Sequence, residues 1–448
     1  MKRRIDRRAV GAWMLFDWAS QPYHTLLITF IFAPYFTSAV AANAASGQAV
    51  WGYTTAAAGV VIAVLAPVLG AIADTTGPRK PWLALFSVFY VTGAATLWLA
   101  EPGMADPTIV LGGFALGLIG VEFATTFTNA VLPDLAPRPA IGRISGMGWA
   151  AGYVGGLIAL VGTMVFLAEN ESGVTLAGLP PVFALDPELR QGTRAVGPLA
   201  ALWYAVFVIP FFLWVPDVPR RRRVSGAIRK ALGELVDTLR ALPSRPAFAV
   251  YLASTMFYRD ALNGLYAFGG IYAAGVLGWS VIDVGKFGIL AVTAGALGAW
   301  MGGIADSRFG SKPVIVFWIL VLTVTCSGVV MTTRSTVLWF SVAPHSRLPD
   351  AAFYLFGAVI GAAGGSLQAA SRTLLVHLAA PTRMTEAFGL YALVGKATSF
   401  LAPMSVALVT QASGSQRLGV SPVIVLFLIG LCLLYWVRIA PEDRGAVT

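Results

Sequence analysis

Charged and amide side chains occur inside long apolar stretches of this sequence. The segment 9–40 consists mostly of Ala, Val, Leu, Ile, Phe and Trp, yet it contains Asp17, Gln21 and His24. Their i, i+4, i+7 spacing places them on one face of a helix, and ionisable residues within a membrane commonly mark substrate or ion pathways. We therefore expect a helix that Pro22 bends and whose polar face lines a cavity. The alternative is that Asp17 only caps or anchors the basic end of this helix.

A second carboxylate, Glu122, lies near the middle of the apolar stretch 108–132. Asn129 follows it seven residues later, on the same face of a helix. A carboxyl group in an apolar environment can bind and release a proton during transport. The position predicts that Glu122 carries a proton, and a purely structural bond between helices is the alternative.

The second half of the chain has its own set of polar residues within apolar stretches: Arg259, Asp260, Asn263, Gln368, Arg372 and Lys396. This set holds three cations and one carboxylate, whereas the first half holds two carboxylates and no cation. Such a division suits a substrate with an anionic group, held by Arg372 or Lys396 through charged hydrogen bonds. The alternative is that the charges form internal ion pairs, for example Asp260 with Arg372.

The amino-acid composition predicts which structural elements position these residues. Of the 448 residues, 57% are hydrophobic and 12% are charged, a charged fraction far below that of soluble domains. Twelve apolar runs are each long enough to cross a ~30 Å hydrocarbon core as a helix. We predict an all-α membrane protein with spans near 12–40, 50–73, 81–100, 108–132, 144–168, 198–216, 247–277, 284–305, 313–332, 351–377, 385–411 and 419–440.

The net charge of +10 is unevenly distributed between the loops. One alternating set of loops carries 22 of the 31 Lys and Arg residues, and the opposite set carries six. This bias predicts a multi-pass protein of the cytoplasmic (inner) membrane with both termini in the cytoplasm. The Arg220–Arg223 run is then an anchor at the anionic lipid surface rather than a nucleic-acid site. The apolar N-terminal run is longer than that of a signal peptide, so we expect an uncleaved first helix.

No residue pattern indicates enzyme chemistry. The three histidines lack metal-ligand spacing, Cys326 and Cys432 lie in different apolar spans, and no phosphate-binding Walker loop is present. We expect no metal, no cofactor and no nucleic-acid partner. The expected form is a monomer in the lipid bilayer.

An internal repeat divides the sequence. GAIADTTGPRK at 70–80 matches GGIADSRFGSK at 302–312, and DLAPRPAIGRISG at 134–146 matches HLAAPTRMTEAFG at 377–389. We predict an N-terminal six-helix half at 1–216, a basic cytoplasmic linker at 217–246 and a C-terminal six-helix half at 247–448.

The repeated loop resembles the signature of the major facilitator superfamily, which implies that superfamily's twelve-helix fold over essentially the whole chain. The signature is a glycine, an aspartate and a glycine followed by two basic residues, and the second copy is degenerate. It implies a gate made by Gly70, Asp74, Gly77, Arg79 and Lys80, and by Gly302, Asp306, Gly310 and Lys312.

Three longer stretches are similar to the "unknown major facilitator" group, whose relatives include autophagy-related vacuolar amino-acid effluxers. They are AWMLFDWASQPYHTLLITFIFAPYF, SGMGWAAGYVGG and SLQAASRTLLVHLAAPTRMTEAFGLYALVGK. The glycines of the fifth span also resemble a motif of antiporters, although close helix packing explains them equally.

We therefore expect a proton-coupled secondary transporter that works by alternating access. Its expected substrate is an amino acid or another carboxylate-bearing zwitterion, and its expected direction is export. One alternative is a phosphorylated, sugar or hydrophobic substrate. Another is a scaffold or sensor that transports nothing, in which neutralising the buried charges would change no flux.

The predicted topology can be tested with reporter fusions. A reporter placed after Arg223 or Arg444 should report the cytoplasm, and one within 175–195 should report the opposite side. A cytoplasmic signal from 175–195 would mean that the first half lacks one of its six spans.

Overall fold

The computed structural model describes residues 5–170, 172–219, 227–279, 281–343 and 345–438. The first basic residues, the Arg220–Arg223 run and Arg444 lie outside the described residues. The principal helices are α1 (Arg7–Pro22), α2 (Ala44–Thr76), α3 (Lys80–Thr96), α4 (Thr108–Leu135), α5 (Arg138–Phe166), α6 (Val196–Trp214), α7 (Ala227–Ala241), α8 (Pro246–Leu277), α9 (Val281–Phe309), α10 (Ser311–Val330), α11 (Leu348–Leu378), α12 (Met384–Ala397), α13 (Leu401–Ser413) and α14 (Pro422–Tyr435).

Shorter elements complete the described chain. Two π-helical segments span Tyr23–Phe30 and Phe36–Val40. Four-residue α-helices span Phe32–Tyr35, Gln191–Arg194 and Gln416–Gly419, and 3-10 turns span Leu97–Leu99, Val182–Ala184, Leu242–Ser244 and Pro381–Arg383. One antiparallel pair consists of β1 (Thr336–Val337) and β2 (Phe340–Ser341).

The helices coincide with the predicted spans. Eleven segments of the described chain are long and apolar enough to cross a membrane. The remaining predicted span, 247–277, coincides with α8, a 32-residue helix that carries Arg259 and Asp260. The prediction of an all-helical membrane fold is confirmed, and α7 adds an amphipathic helix within the linker.

The chain folds into two compact units whose boundaries differ from the predicted halves. The N-unit contains the described residues up to Val131 together with Ala151–Leu232. The C-unit contains Leu132–Ala150 together with the described residues from Gly233 onward. The first turns of α5 thus group with α8–α14. The division into halves joined by a linker at 217–246 stays a prediction.

Small residues allow the helices to approach closely inside each unit. In the N-unit, a Cβ atom on Gly93 of α3 would lie 2.3 Å from the backbone nitrogen of Gly117 in α4. In the C-unit, a Cβ atom on Gly298 of α9 would lie 2.2 Å from the carbonyl oxygen of Ala362 in α11. Backbone contact of this kind gives helices in a membrane the van der Waals packing that holds them together where no hydrophobic driving force acts between them.

Pro22 changes the hydrogen-bond register of the first span. α1 ends at Pro22 and continues as a π-helix, so the predicted interruption is present. Proline has no N–H to donate to the carbonyl four residues earlier, which is that of Trp18. The indole Nε1 of Trp203 on α6 donates to this oxygen at 3.2 Å, and the Trp18 and Trp203 rings stack with centroids 5.6 Å apart.

This contact predicts the effect of removing one indole donor. Trp203→Phe keeps an aromatic ring but leaves the Trp18 carbonyl without the indole donor, which should cost about 1–3 kcal/mol. We expect a lower midpoint of thermal unfolding in detergent. Trp214→Phe is the matched control because Trp214 is 50% exposed at the end of the same helix. Equal midpoints for the two variants would show that the hydrogen bond contributes nothing to the fold.

Candidate functional site

The polar face of α1 packs against glycines of α5 within the N-unit. Asp17, Gln21 and His24 are all half-buried. A Cβ atom on Gly152 would lie 3.3 Å from the Asp17 carbonyl oxygen, and one on Gly156 would lie 2.7 Å from Gln21 Cγ. These glycines therefore make room for the polar face of α1, as the packing explanation of the glycine-rich stretch expects.

A different aspartate caps α1. Asp6 Oδ1 accepts hydrogen bonds from the backbone N–H groups of Arg8 at 2.9 Å and Ala9 at 3.3 Å. Asp17 lies ten residues beyond Arg7, about 15 Å along the helix. Asp6 therefore caps this end of α1. Asp17 lies farther along the helix as a half-buried carboxylate within the predicted span.

The middle of α4 carries Glu122 on its more accessible face. Glu122, Thr125 and Asn129 are half-buried, whereas the neighbouring Val121 and Phe123 are no more than 1% exposed. This is the helical face that the i, i+3, i+7 spacing predicts. The carboxylate thus lies near the middle of a 28-residue helix, on the side that is not closed by core packing.

In the C-unit, Arg259 of α8 packs against α12. The Arg259 guanidinium carbon is 4.1 Å from the centre of the Tyr391 ring, and Nη1 donates to the Tyr391 carbonyl oxygen at 3.4 Å. A Cβ atom on Gly395 would lie 2.9 Å from Arg259 Nη1, so this glycine makes room for the guanidinium. The next residue is Lys396, which is half-buried.

The eleventh predicted span is interrupted, which sequence analysis did not anticipate. α12 ends at Ala397 and α13 begins at Leu401. Asp260, which is 3% exposed, accepts a hydrogen bond through Oδ2 from the Ala402 N–H at 2.7 Å. The first N–H groups of a helix lack partners within it, so this carboxylate satisfies one of them at the start of α13.

Arg372 contacts α5, through residues that belong to the same C-unit. Its Nε donates to Ser145 Oγ at 2.9 Å and its Nη2 donates to the Ser145 carbonyl oxygen at 2.7 Å. The guanidinium carbon also lies 5.8 Å from the centre of the Trp149 ring. Asp260 and Arg372 thus have different partners, and the described ion pairs do not join them.

Two tyrosines of α8 fix the position of α11 beside Arg372. Tyr251 donates to the Ser371 carbonyl oxygen at 2.5 Å, and the hydroxyl groups of Tyr258 and Ser371 are 2.8 Å apart. Tyrosines in an apolar run are typical of core residues, so no sequence pattern pointed to this network. Of the other predicted residues, Gln368 is half-buried and Asn263 is exposed.

The two copies of the repeated loop have matching geometry. Gly77 and Gly310 follow α2 and α9 with φ of 103° and 87°, a region that favours glycine. Lys80 Nζ donates to the Phe212 carbonyl oxygen at the end of α6, at 2.8 Å. Lys312 Nζ donates to carbonyl oxygens at and beyond the end of α14, those of Tyr435 at 3.1 Å and Val437 at 2.7 Å. Each lysine binds the negative end of a helix in its own unit.

The aspartates of the two copies have different partners. Asp74 Oδ1 lies 3.6 Å from Arg79 Nη2, whereas Asp306 Oδ1 accepts a hydrogen bond from Ser311 Oγ at 2.7 Å. Asp217, which sequence analysis overlooked, accepts from the backbone N–H groups of Arg79 at 2.8 Å and Lys80 at 3.1 Å, at the start of α3.

Within the part of the chain that the structure describes, no three His, Cys, Asp or Glu residues come together in a way that could hold a metal ion.

Comparison with known sequences gives relatives along the whole chain. The family model described as "Vacuole effluxer Atg22 like" matches residues 140–446. The uncharacterized MFS-type transporter YxiO of Bacillus subtilis is 25% identical over 451 residues, covering 99% of this chain and 97% of the relative. Autophagy-related protein 22 of Cryptococcus neoformans is 24% identical over 300 residues, covering 65% of this chain. The chain spans about half the length of this fungal relative, with 54% of it covered.

Solved structures show the same fold. The human organic anion transporter MFSD10 superposes with a TM-score of 0.71 at 17% identity, covering 96% of this chain and 99% of the other. The proton:xylose symporter XylE superposes with a TM-score of 0.70 at 12% identity, covering 96% of each chain. The chain therefore belongs to the vacuole effluxer Atg22-like family of the major facilitator superfamily, and it is a multi-pass membrane transporter rather than an enzyme.

Proposed function

We propose that this protein exports a small carboxylate-bearing zwitterion, of the amino-acid class, in a step coupled to protons. Both termini lie in the cytoplasm and the chain spans the inner membrane as a monomer. The two six-helix halves predicted from the sequence alternate access to a site near the bilayer midplane, as in other secondary transporters.

The observation that carries the proposal is the half-buried Arg259 at the meeting of α8 and α12. Its guanidinium lies over the Tyr391 ring and donates to the Tyr391 carbonyl oxygen, which is a neutral acceptor. A carboxylate forms a charged hydrogen bond with a guanidinium, which is stronger than a bond to a neutral oxygen. A substrate carboxylate therefore gains more here than a neutral or cationic group.

Arg372 is a second cation that we propose binds a carboxylate of the substrate. Its two hydrogen bonds to Ser145 use a hydroxyl and a carbonyl oxygen, both of which are neutral acceptors. A carboxylate matches the planar guanidinium with two parallel charged hydrogen bonds, which are stronger than bonds to neutral acceptors. We infer that substrate carboxylate replaces Ser145 during the transport cycle.

The proposed direction of transport and the proposed coupling ion rest on other features. The family description names vacuolar effluxers, which favours export. Protons are the proposed coupling ions because Glu122 and Asp17 place half-buried carboxylates on helix faces of the N-unit.

A thermal-shift screen that compares amino acids, sugars, phosphate esters and hydrophobic amines would test the substrate class. Stabilisation by sugars or amines alone would contradict the proposal.

The coupling role of Glu122 predicts a selective defect. In proteoliposomes, Glu122→Gln should abolish accumulation that a pH gradient drives, because the amide cannot release a proton. Substrate binding and exchange without a gradient should stay close to wild type. The matched control is Thr125→Val on the same face of α4, which removes a polar group but no titrating one. Unchanged gradient-driven accumulation in Glu122→Gln would assign the proton to Asp17 or Asp260 instead.

If Arg372 binds the substrate carboxylate, the effect of an Arg372 substitution on binding affinity should depend on whether that carboxylate is present. Arg372→Lys should weaken binding by about 1–3 kcal/mol, the scale of a charged hydrogen bond, and Arg372→Ala should weaken it further. Esterifying the carboxylate of the substrate should weaken binding to the wild type but add little to the Arg372→Ala defect, because both changes remove the same contact.

The measurement is a cycle of dissociation constants for two protein forms and two ligands, after monodisperse gel filtration confirms folding. Ser145→Ala is the matched control, since it removes the hydroxyl acceptor and leaves the cation. Additive losses in the cycle would show that Arg372 serves the contact between α5 and α11 and does not bind substrate.

A further inference from the structure

A two-residue turn between α10 and α11 has an unusual composition. β1 and β2 pair in antiparallel register, Thr336 with Ser341 and Val337 with Phe340, so Leu338 and Trp339 form the turn. Both turn residues have positive φ, 49° and 71°. Tight hairpin turns with this geometry strongly favour Asn-Gly or Asp-Gly, because side chains with a bulky Cβ are strained there. The chain therefore keeps two large apolar residues where small polar ones would fold more easily.

The tip of this hairpin exposes large aromatic surface. Trp339 is 75% exposed and Phe340 is 76% exposed, whereas Val337, the cross-strand partner of Phe340, is 8% exposed. Exposed aromatic rings are unfavourable in water, and backbone strain is unfavourable in any solvent. A chain that keeps both at one tip favours a role for these rings outside water.

The hairpin is held against the neighbouring helices by its base and by Leu338. Arg334 Nη1 is 2.6 Å from Asp350 Oδ1 in the first turn of α11. A Cβ atom on Gly328 would lie 3.5 Å from Leu338 Cδ2 and 2.9 Å from Phe356 Cζ. Gly328 precedes the end of α10 by two residues, about 3 Å along the helix. The tip thus folds back to the level of the last turn of a membrane-spanning helix.

The two helices that the hairpin connects also expose large apolar side chains. On α10, Phe317, Leu320 and Val324 are 56%, 47% and 73% exposed, and on α11 Leu355 is 62% exposed. Aromatic side chains concentrate at the boundary between hydrocarbon and headgroups, where flat rings and polar edges are both accommodated. The position of the tip matches that boundary at the non-cytoplasmic side predicted from loop charge.

We propose that Leu338, Trp339 and Phe340 form a membrane-interface anchor, with the rings of Trp339 and Phe340 inserted among the lipid headgroups and upper acyl chains beside α10. The occupant of this surface is the lipid leaflet. The anchor holds the ends of α10 and α11 at one depth in the bilayer. These helix ends therefore stay at that depth during transport.

The test places an environment-sensitive NBD fluorophore at the tip. Cys432→Ser removes the exposed native thiol while the buried Cys326 is kept. Trp339→Cys is then labelled and reconstituted in nanodiscs. Ala343→Cys is the matched control, because Ala343 is exposed on the same loop outside the hairpin. We expect blue-shifted emission at position 339, quenched by lipids that carry a nitroxide near the headgroup, and water-like emission at position 343.

Two results would overturn the anchor. Water-like emission at position 339 that nitroxide lipids leave unchanged would place the tip in solvent. A blue shift present at high protein density but lost in nanodiscs holding one copy would assign the tip to contact with a second copy of the chain.

A stability measurement gives a second, independent readout. Leu338→Asn combined with Trp339→Gly supplies the sequence that the turn geometry prefers, and it removes the inserted side chains. We expect a lower thermal midpoint in nanodiscs than for wild type despite the relieved turn. A higher midpoint would mean that the two residues only strain the hairpin, which would also overturn the anchor.

Discussion

The fold depends on one constraint: a backbone N–H or C=O group inside hydrocarbon must find a partner, since water is absent. Where a helix of this chain is interrupted, a single side chain from another helix supplies that partner. Trp203 donates to the Trp18 carbonyl at the interruption caused by Pro22. Asp260 accepts from the Ala402 N–H at the interruption of the eleventh span. Burying a polar side chain in hydrocarbon costs free energy. These side chains form hydrogen bonds with backbone groups whose burial without a partner would also cost free energy.

The same constraint explains the shared geometry of the two loop copies within this chain. Lys80 binds the end of α6 and Lys312 binds the end of α14, so the motif lysine closes the last helix of its own unit in both copies. The second copy lacks the arginine of the first, and a serine occupies that place: Asp306 bonds to Ser311, whereas Asp74 pairs with Arg79. An ion pair responds to salt and to nearby charge, whereas a buried hydrogen bond responds mainly to geometry. The two loops thus keep a common structural contact and differ in the contact made by the aspartate.

The sequence predicted what depends on composition and local spacing. The spans, the interruption at Pro22, the polar faces of α1 and α4 and the two loop copies all follow from apolar runs, a missing N–H and helical periodicity. The sequence could not predict contacts between distant residues, such as Ser145 with Arg372 or Asp217 with the start of α3. The interruption at 398–400 was not predicted, although Pro403 lies just beyond it and has no N–H to donate to the Ser399 carbonyl four residues earlier. The hydrogen bond from the Ala402 N–H to Asp260, 142 positions earlier in the chain, could not be predicted from local sequence.

The contacts of Arg259 and Asp260 explain why a cation and an anion are adjacent on α8. Neighbouring residues of a helix point about 100° apart, so the two side chains reach different targets. Arg259 contacts Tyr391 on α12, and Asp260 contacts Ala402 on α13. One helix therefore holds both sides of the interrupted span, each through a charged group. The Arg259 contact therefore stabilises only the α12 side of the interruption, and the Asp260 contact stabilises only the α13 side.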